Sequence, residues 1–348
     1  MTNIVNNNVT SLISQSPGFR SLDGSIVTVD SSVLPVMKRL SIRRLLLSSA
    51  AVREPHWHAN AHELGYCLQG NALITIADSH SVRHSFTVSP GEMFFVPSGA
   101  LHHIENIGDG NAEFIIAFSH ESPEDFGISG SFGAMTNSVL ANTYNLKTAD
   151  FEAFKRSTAN THIGRRAGKP AVETQDLRPD PLHYNLEGTL PQILFDAGSA
   201  HTAKKELWPA LKNISMFSVR ITGVGMREPH WHPETAEMGY ITNGRGRITI
   251  LSPNGHVNTF EISAGDTYFI PPAYPHHIEN LGSDELHLLI FFDQPTPGDV
   301  GFQTLPSCYS RDVLTAAFGV SDDALPDFPI ITVDPLIVPR INPVSPAA

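Results

Sequence analysis

From Ser41 onward, apolar and polar positions come in short runs that read as strands rather than helices. IRRLLL, GYCLQGNALITIAD, HSFTVSPGEMFFVPSGALHHIENI and AEFIIAFS are rich in β-branched and aromatic residues. Turn residues break them, Gly70-Asn71 and Pro90-Gly91 among them. The same order returns as FSVRIT, GYITNGRGRITI, NTFEISAGDTYFIPPAYPHHIENL and ELHLLIFFD. The two copies keep one register without insertion or deletion, each residue matching another 174 positions on. Ser122 to Gly127 thus falls opposite Thr296 to Gly301, and Val139-Leu140 opposite Val313-Leu314. A gap-free repeat of short strands predicts an all-β chain of two like-folded barrels. A short helix follows each copy, in SVLANTYNL and DVLTAAFGV.

The same pattern sets the expected boundaries. Residues 1–40 are polar and predict an extended N-terminal arm with one or two short strands. Domain 1 covers 41–160, and the stretch 161–195, rich in Pro, Gly and charge, reads as a linker. Domain 2 covers 196–348 and ends in PLIVPRINPVSPAA, whose prolines predict an extended strap.

Composition narrows the function. With 348 residues and 41% hydrophobic content, each half can bury a core of its own. The formal charge of −12 argues against nucleic acid or an anionic membrane as partner. An anionic substrate would therefore need local cations in its site. Cys67 and Cys308 are too few for a disulfide framework and read as buried free thiols of a reducing compartment. No stretch of roughly 18 apolar residues offers a membrane span. The first residues, MTNIVNNNVTSLISQSPG, lack the basic and apolar regions of a secretory signal, so a cytoplasmic protein is expected. Arg43-Arg44-Leu45-Leu46-Leu47 resembles such a signal but reads as a core strand from its place before the first histidine pair.

Two stretches carry the chemistry, REPHWHANAHELG from Arg53 and REPHWHPETAEMG from Arg227. On a strand, residues two apart share a face, so His56 and His58 project together, as do His230 and His232. Glu63 and Glu237 follow beyond a short turn, and His102 and His276 in the two HHIEN phrases can close each set from elsewhere in the sheet. Three imidazoles and one carboxylate without a thiolate suit Mn, Fe, Co, Ni or Zn and exclude a Cys-rich structural zinc site. Arg53 and Arg227 stand three residues before the first ligand, the wrong phase for the same face unless Pro55 and Pro229 introduce an irregularity. On phase alone, a surface salt bridge and a role in the pocket stand level.

These residues resemble the cupin superfamily of double-sheet jelly-roll barrels, and within it the bicupins of the oxalate decarboxylase type. The resemblance covers most of the chain: both REPHWH phrases, the segments Gly91 to Pro97 and Gly265 to Pro271, the histidines that follow, and the helical segments after each barrel. It implies Mn in both sites, held by His56, His58, Glu63 and His102 and by His230, His232, Glu237 and His276. It implies that Arg53 and Arg227 hold a substrate carboxylate. The implied reaction splits oxalate into formate and CO2 with O2 as cofactor. Trimers or hexamers built through the helical segments are implied as well.

Two departures from the pattern stand out. The family carries its catalytic acid on a mobile Ser-Glu-Asn-Ser-like loop after the first barrel. Here the stretch is Ser122-Pro123-Glu124-Asp125-Phe126, with Asp125 at the glutamate position, Glu124 beside it, and Pro123 stiffening the loop. In the second barrel, Ile290 occupies the place of a family glutamate, and Asp299 is the repeat partner of Asp125. Glu124 or Asp125 is thus the expected acid, in a first site favoured as the catalytic one. The alternatives are an oxalate oxidase, another metal-dependent cupin enzyme acting on a small acid, or a non-enzymatic metal-binding or storage bicupin.

Overall fold

A computed structural model describes residues 8–79 and 82–342. The first seven residues of the expected arm and the last six of the strap lie outside the described residues.

Each half forms two antiparallel sheets packed face to face. In the first half, one sheet runs His183–Tyr184, Met93–Val96, Glu63–Gln69, Ala112–Phe118, Ser41–Leu47, Gly24–Val29 and Phe19–Ser21. The facing sheet runs Asp125–Gly127, Ala51–His58, Leu101–Asn106, Ala72–Ala77 and Arg83–Val88, with Ile163–Arg165 also on Ala51–His58. The second half repeats both orders, the tail strand Ile337–Pro339 pairing with Gly225–Trp231. Alternating burial along Ser41–Leu47 and Ala51–His58 explains why these runs are strands: one face meets the core while the other meets polar surroundings.

The sequence placed the arm and the linker outside the barrels, whereas their strands complete the sheets. Phe19–Ser21 and Gly24–Val29 extend the first barrel. More tellingly, the halves exchange strands. Val9–Ser11 pairs with Asp266–Ile270 of the second barrel, with Val9 opposite Tyr268. His183–Tyr184, its repeat equivalent, pairs in the first barrel, with His183 opposite Phe94. Each exchanged strand covers an edge that would otherwise expose unpaired backbone groups.

The cores also merge. Trp208, Leu211, Met216, Met238, Phe269 and Phe291 of the second half belong to the same buried cluster as Phe94, Phe95, Phe114 and Phe118 of the first. The two helices expected after the barrels are present as Asn137–Tyr144 and Arg311–Phe318, capped by the Thr136 and Ser310 side chains. A further helix, Ile128–Ala134, lies in a stretch whose pattern did not announce it.

Candidate metal centres

Inside each barrel the four expected ligands meet. Donor atoms of His56, His58, Glu63 and His102 lie within 4.8 Å of one another, as do those of His230, His232, Glu237 and His276. All eight residues are buried. The two sheets share the work: the histidine pair and the later histidine stand on neighbouring strands, with His102 opposite His56, while Glu63 opens a strand of the facing sheet. Closing the barrel is therefore what assembles the set.

Hydrogen bonds aim the imidazoles. Nδ1–H of His56 donates to the Glu54 carbonyl at 2.8 Å, and Nδ1–H of His102 to the Ala100 carbonyl at 3.0 Å. His230 and His276 do the same toward Glu228 and Tyr274, each at 2.8 Å. A carbonyl only accepts, so these contacts fix the proton on Nδ1 and turn the Nε2 lone pair inward. His58 bonds instead to Asp125 at 2.7 Å, while Nδ1 of His232 bonds to the Gly298 carbonyl at 3.0 Å and lies 2.7 Å from Asp299 Oδ1. His230 Nε2 and Glu63 Oε1 are buried with no hydrogen-bond partner. Inward lone pairs, an anionic carboxylate and orphaned buried donor atoms fit a divalent cation of the N/O-binding class.

The electrostatics agree. Burial pushes His56 and His230 well below the usual histidine range, helped by the charges of Arg53 and Arg227. These rings are neutral, as ligands must be. For His58 and His232, burial is outweighed by the carboxylates that face the rings, Asp125 and Glu63 for one and Asp299 and Glu237 for the other; both rise, His232 to about 9. Burial opposes ionisation of Glu63 and Glu237, but the neighbouring imidazoles outweigh it and hold both carboxyls low.

Arg53 resolves its phase problem by a bulge. His102 pairs with His56 and Ile104 with Arg53, so one residue too many lies on the Arg53 strand between them. The extra residue turns Arg53 inward, where its exposure is 2%. Arg227 enters by the same irregularity between Arg227 and His230. The Arg53 guanidinium donates to the His162 carbonyl and to Asp125 Oδ2, each at 3.1 Å. That of Arg227 donates to the Leu336 carbonyl at 2.9 Å and meets Asp299 Oδ2 at 3.0 Å. Burial brings Arg53 down to about 10, so it remains a cation near neutral pH.

The two expected acid candidates part ways. Asp125 is clamped: Oδ2 accepts from Arg43 at 2.9 Å and Arg53 at 3.1 Å, and Oδ1 faces His58. Burial works against its charge, but Arg43, His58 and Arg53 outweigh it and keep the carboxyl well below the usual carboxylate range. Its strand is tied down, with Asp125 paired to His58 and Gly127 to His56. Glu124 is exposed. Its backbone is pinned, since its N–H donates to Asn60 Oδ1 at 3.0 Å and its carbonyl accepts from Ala59 at 2.9 Å.

Three features went unread in the sequence, and all lie where the repeat departs from itself. Arg43 lies on the core strand Ser41–Leu47. Its guanidinium lies 4.7 Å from the Phe118 ring centre and reaches Asp125, whereas its counterpart is Phe217, packed on Phe292. Tyr268 replaces Phe94, and its hydroxyl donates to Glu237 Oε1 at 2.6 Å. Asp334 replaces Asn160 beside Glu228. Comparing the two copies position by position would have flagged each of them.

Residues 10–150 and 184–324 each match the Cupin family model. The chain belongs to the cupin family, as a bicupin of the oxalate decarboxylase group. It is 30% identical over 278 residues to oxalate decarboxylase OxdC of Bacillus subtilis, covering 77% of this chain and 70% of that protein. An oxalate decarboxylase of Arthroderma benhamiae is 26% identical over 333 residues, 84% of this chain and 76% of that one. Among solved structures, the Bacillus subtilis enzyme at pH 4.6 superposes with a TM-score of 0.84 at 25% identity, across 97% of this chain and 88% of the other. A structure of the same enzyme, from work on its Mn(II) centres, gives 0.85 at 25% identity, across 96% and 89%.

Proposed function

We propose that this chain is a metal-dependent oxalate decarboxylase-like carboxy-lyase, converting hydrogen oxalate to formate and CO2. The observation that carries the reading is the pair of guanidiniums, Arg43 and Arg53, buried beside the ligand set of the first barrel with only Asp125 between them. Two guanidiniums share one ion-paired carboxylate and offer donors to an oxalate carboxylate, local cations that a chain of net charge −12 needs in order to hold an anion. The second site lacks this pair, since Arg227 is matched by Asp299 and Phe217 replaces Arg43. The first site is therefore the catalytic one in this reading.

Mn is the ion we assign to both sites, and with O2 as cosubstrate it would supply the one-electron chemistry. The chain's own part is positioning and proton handling. Arg53 and Arg43 orient the substrate carboxylate, Asp125 holds both arginines and His58 in place, and the barrel walls exclude water. Glu124, at the exposed rim and outside the ion pairs of Asp125, is the residue we assign to carry the proton that ends on formate.

A specific observation favours a second reading. Asp125 is tied into a strand, and Arg43, His58 and Arg53 hold its carboxyl well below the usual range, so it is poorly suited to donate a proton. Without a proton donor, the product side shifts toward oxidation, and the chain would act as an oxalate oxidase. Turnover of oxalate at mildly acidic pH by protein expressed with Mn, following formate, CO2 and peroxide, separates the two. Formate near one per oxalate, lost in Glu124→Gln, supports the decarboxylase. Peroxide with little formate supports the oxidase, and neither product in the metal-loaded protein sinks the oxalate reading.

We further propose a homo-oligomer, a trimer or hexamer, in the cytoplasm. Exposed apolar side chains recur at matching positions after both barrels, Val139, Tyr144 and Leu146 in one and Val313, Phe318 and Val320 in the other. Such repeated patches suit association of copies, and light scattering of the purified chain tests it. Cys67 is a buried free thiol as expected, whereas Cys308 is free but exposed, and two unpaired thiols suit a reducing compartment.

A further inference from the structure

The two ligand sets are alike in residue type but not in what stands behind the carboxylate. In the second barrel Glu237 turns Oε2 toward His232 at 2.9 Å and His276 at 3.3 Å, while Oε1 accepts the Tyr268 hydroxyl at 2.6 Å. In the first barrel Glu63 turns Oε2 toward His58 at 2.6 Å and His102 at 3.3 Å, and Oε1 is buried with no partner. The frameworks are otherwise superposable in register. Gly65 pairs with Phe94 and Gly239 with Tyr268. Both glycines leave the space the aromatic ring fills: a Cβ would come within 2.2 Å of Phe94 and 2.1 Å of Tyr268. One hydroxyl is therefore the whole local difference at this position.

We propose that Tyr268 is a positioning residue that makes the second metal centre different from the first. Its phenol, fully enclosed, holds one oxygen of Glu237 out of the ligand set and fixes which lone pair faces the three imidazoles. A hydrogen bond of this kind orients a ligand carboxylate and sets how much charge it offers the ion. Glu63 has no such restraint, so both its oxygens remain open to the cation. The chain would then carry two centres of unequal affinity and unequal electronic character, one at each end of a duplicated sequence. This rests on the metal reading alone and is independent of oxalate.

The test uses the full chain stripped of metal and titrated with Mn(II) against a competing chelator, with electron paramagnetic resonance spectra taken at each loading. His102→Ala and His276→Ala each leave one centre and assign the signals. Tyr268→Phe is expected to weaken the second centre by roughly 10–100-fold, the usual cost of losing an outer hydrogen bond to a ligand. It should also alter that centre's spectrum while leaving the first unchanged. Phe94→Tyr places a hydroxyl against Glu63 Oε1 and should shift the first centre's spectrum toward that of the second. If Tyr268→Phe folds and both affinities and both spectra match the parent, the proposal is overturned. Should Tyr268→Phe fail to fold, Phe94→Tyr decides: an altered first centre sustains the idea, and an unaltered one ends it. A parent chain that binds no Mn(II) would remove the metal reading itself, a separate failure.

Discussion

Asp125 Oδ1 stands 2.7 Å from His58 Nδ1, and the same carboxylate grips two arginines through its other oxygen. One side chain thus orients a metal ligand and the groups that would meet the substrate. Removing it as Asp125→Ala should cost roughly 10–100-fold in metal affinity at the first site. Asp125→Asn keeps an acceptor for His58 and should cost less. Calorimetric titration of the His276→Ala chain with Mn(II) reads the first site alone, and equal affinities for all three chains would show that the contact is incidental.

Each ligand set draws on two sheets, so each site should be lost independently. His102→Ala is expected to lower the metal content of the purified chain from two ions to one, and His276→Ala likewise, with the double variant binding none. Elemental analysis checks this. Chelation should also lower the unfolding temperature, because an ion bound only by the folded state at about 100 times its Kd stabilises it by about 2.7 kcal/mol. A chain whose melting ignores chelator would contradict the assignment.

Arg43 faces the first site only, and Phe217 replaces it in the second. A charge-assisted hydrogen bond contributes about 1.5–3 kcal/mol. Arg43→Phe should therefore raise KM for oxalate by roughly tenfold or more, with a smaller change in kcat and no change in metal content. Steady-state kinetics beside metal analysis settle it, and a normal KM would remove Arg43 from the binding role.

Glu228 carries a pH dependence into the second barrel. Burial and the neighbouring Asp334 carboxyl raise its carboxyl from an ordinary 4.5 to about 8. The folded state thus holds a proton that the unfolded chain releases near 4.5. Stability from this contact is complete below that value, declines as pH rises, and is lost as pH passes about 8. Asp334→Asn installs the residue that the first barrel has at Asn160. Melting curves of metal-free protein should show the variant gaining on the parent from pH 5 to pH 8, a range set by that shift. Parallel curves across the range would deny the coupling.

The sequence alone indicated the two-barrel architecture and the eight His and Glu residues that the structure brings together in two candidate metal centres. Period-two patterning needs no partner to be recognised, and a repeat at constant offset doubles every signal: His56 and His58 would be weak by themselves but are strong beside His230 and His232. Only the tertiary structure decided the rest. The inward turn of Arg53 depends on a bulge defined by pairing with the distant strand Leu101–Asn106. Val9–Ser11 and His183–Tyr184 each cover a sheet edge of the opposite half, a pairing that nothing local to either segment specifies. The clamp on Asp125 joins residues 82 and 72 positions apart across two sheets. The hydroxyl of Tyr268 acquires its meaning only where Gly239 lets the ring lie against Glu237. Local periodicity is written along one segment, whereas second contacts between side chains exist only after the sheets have closed.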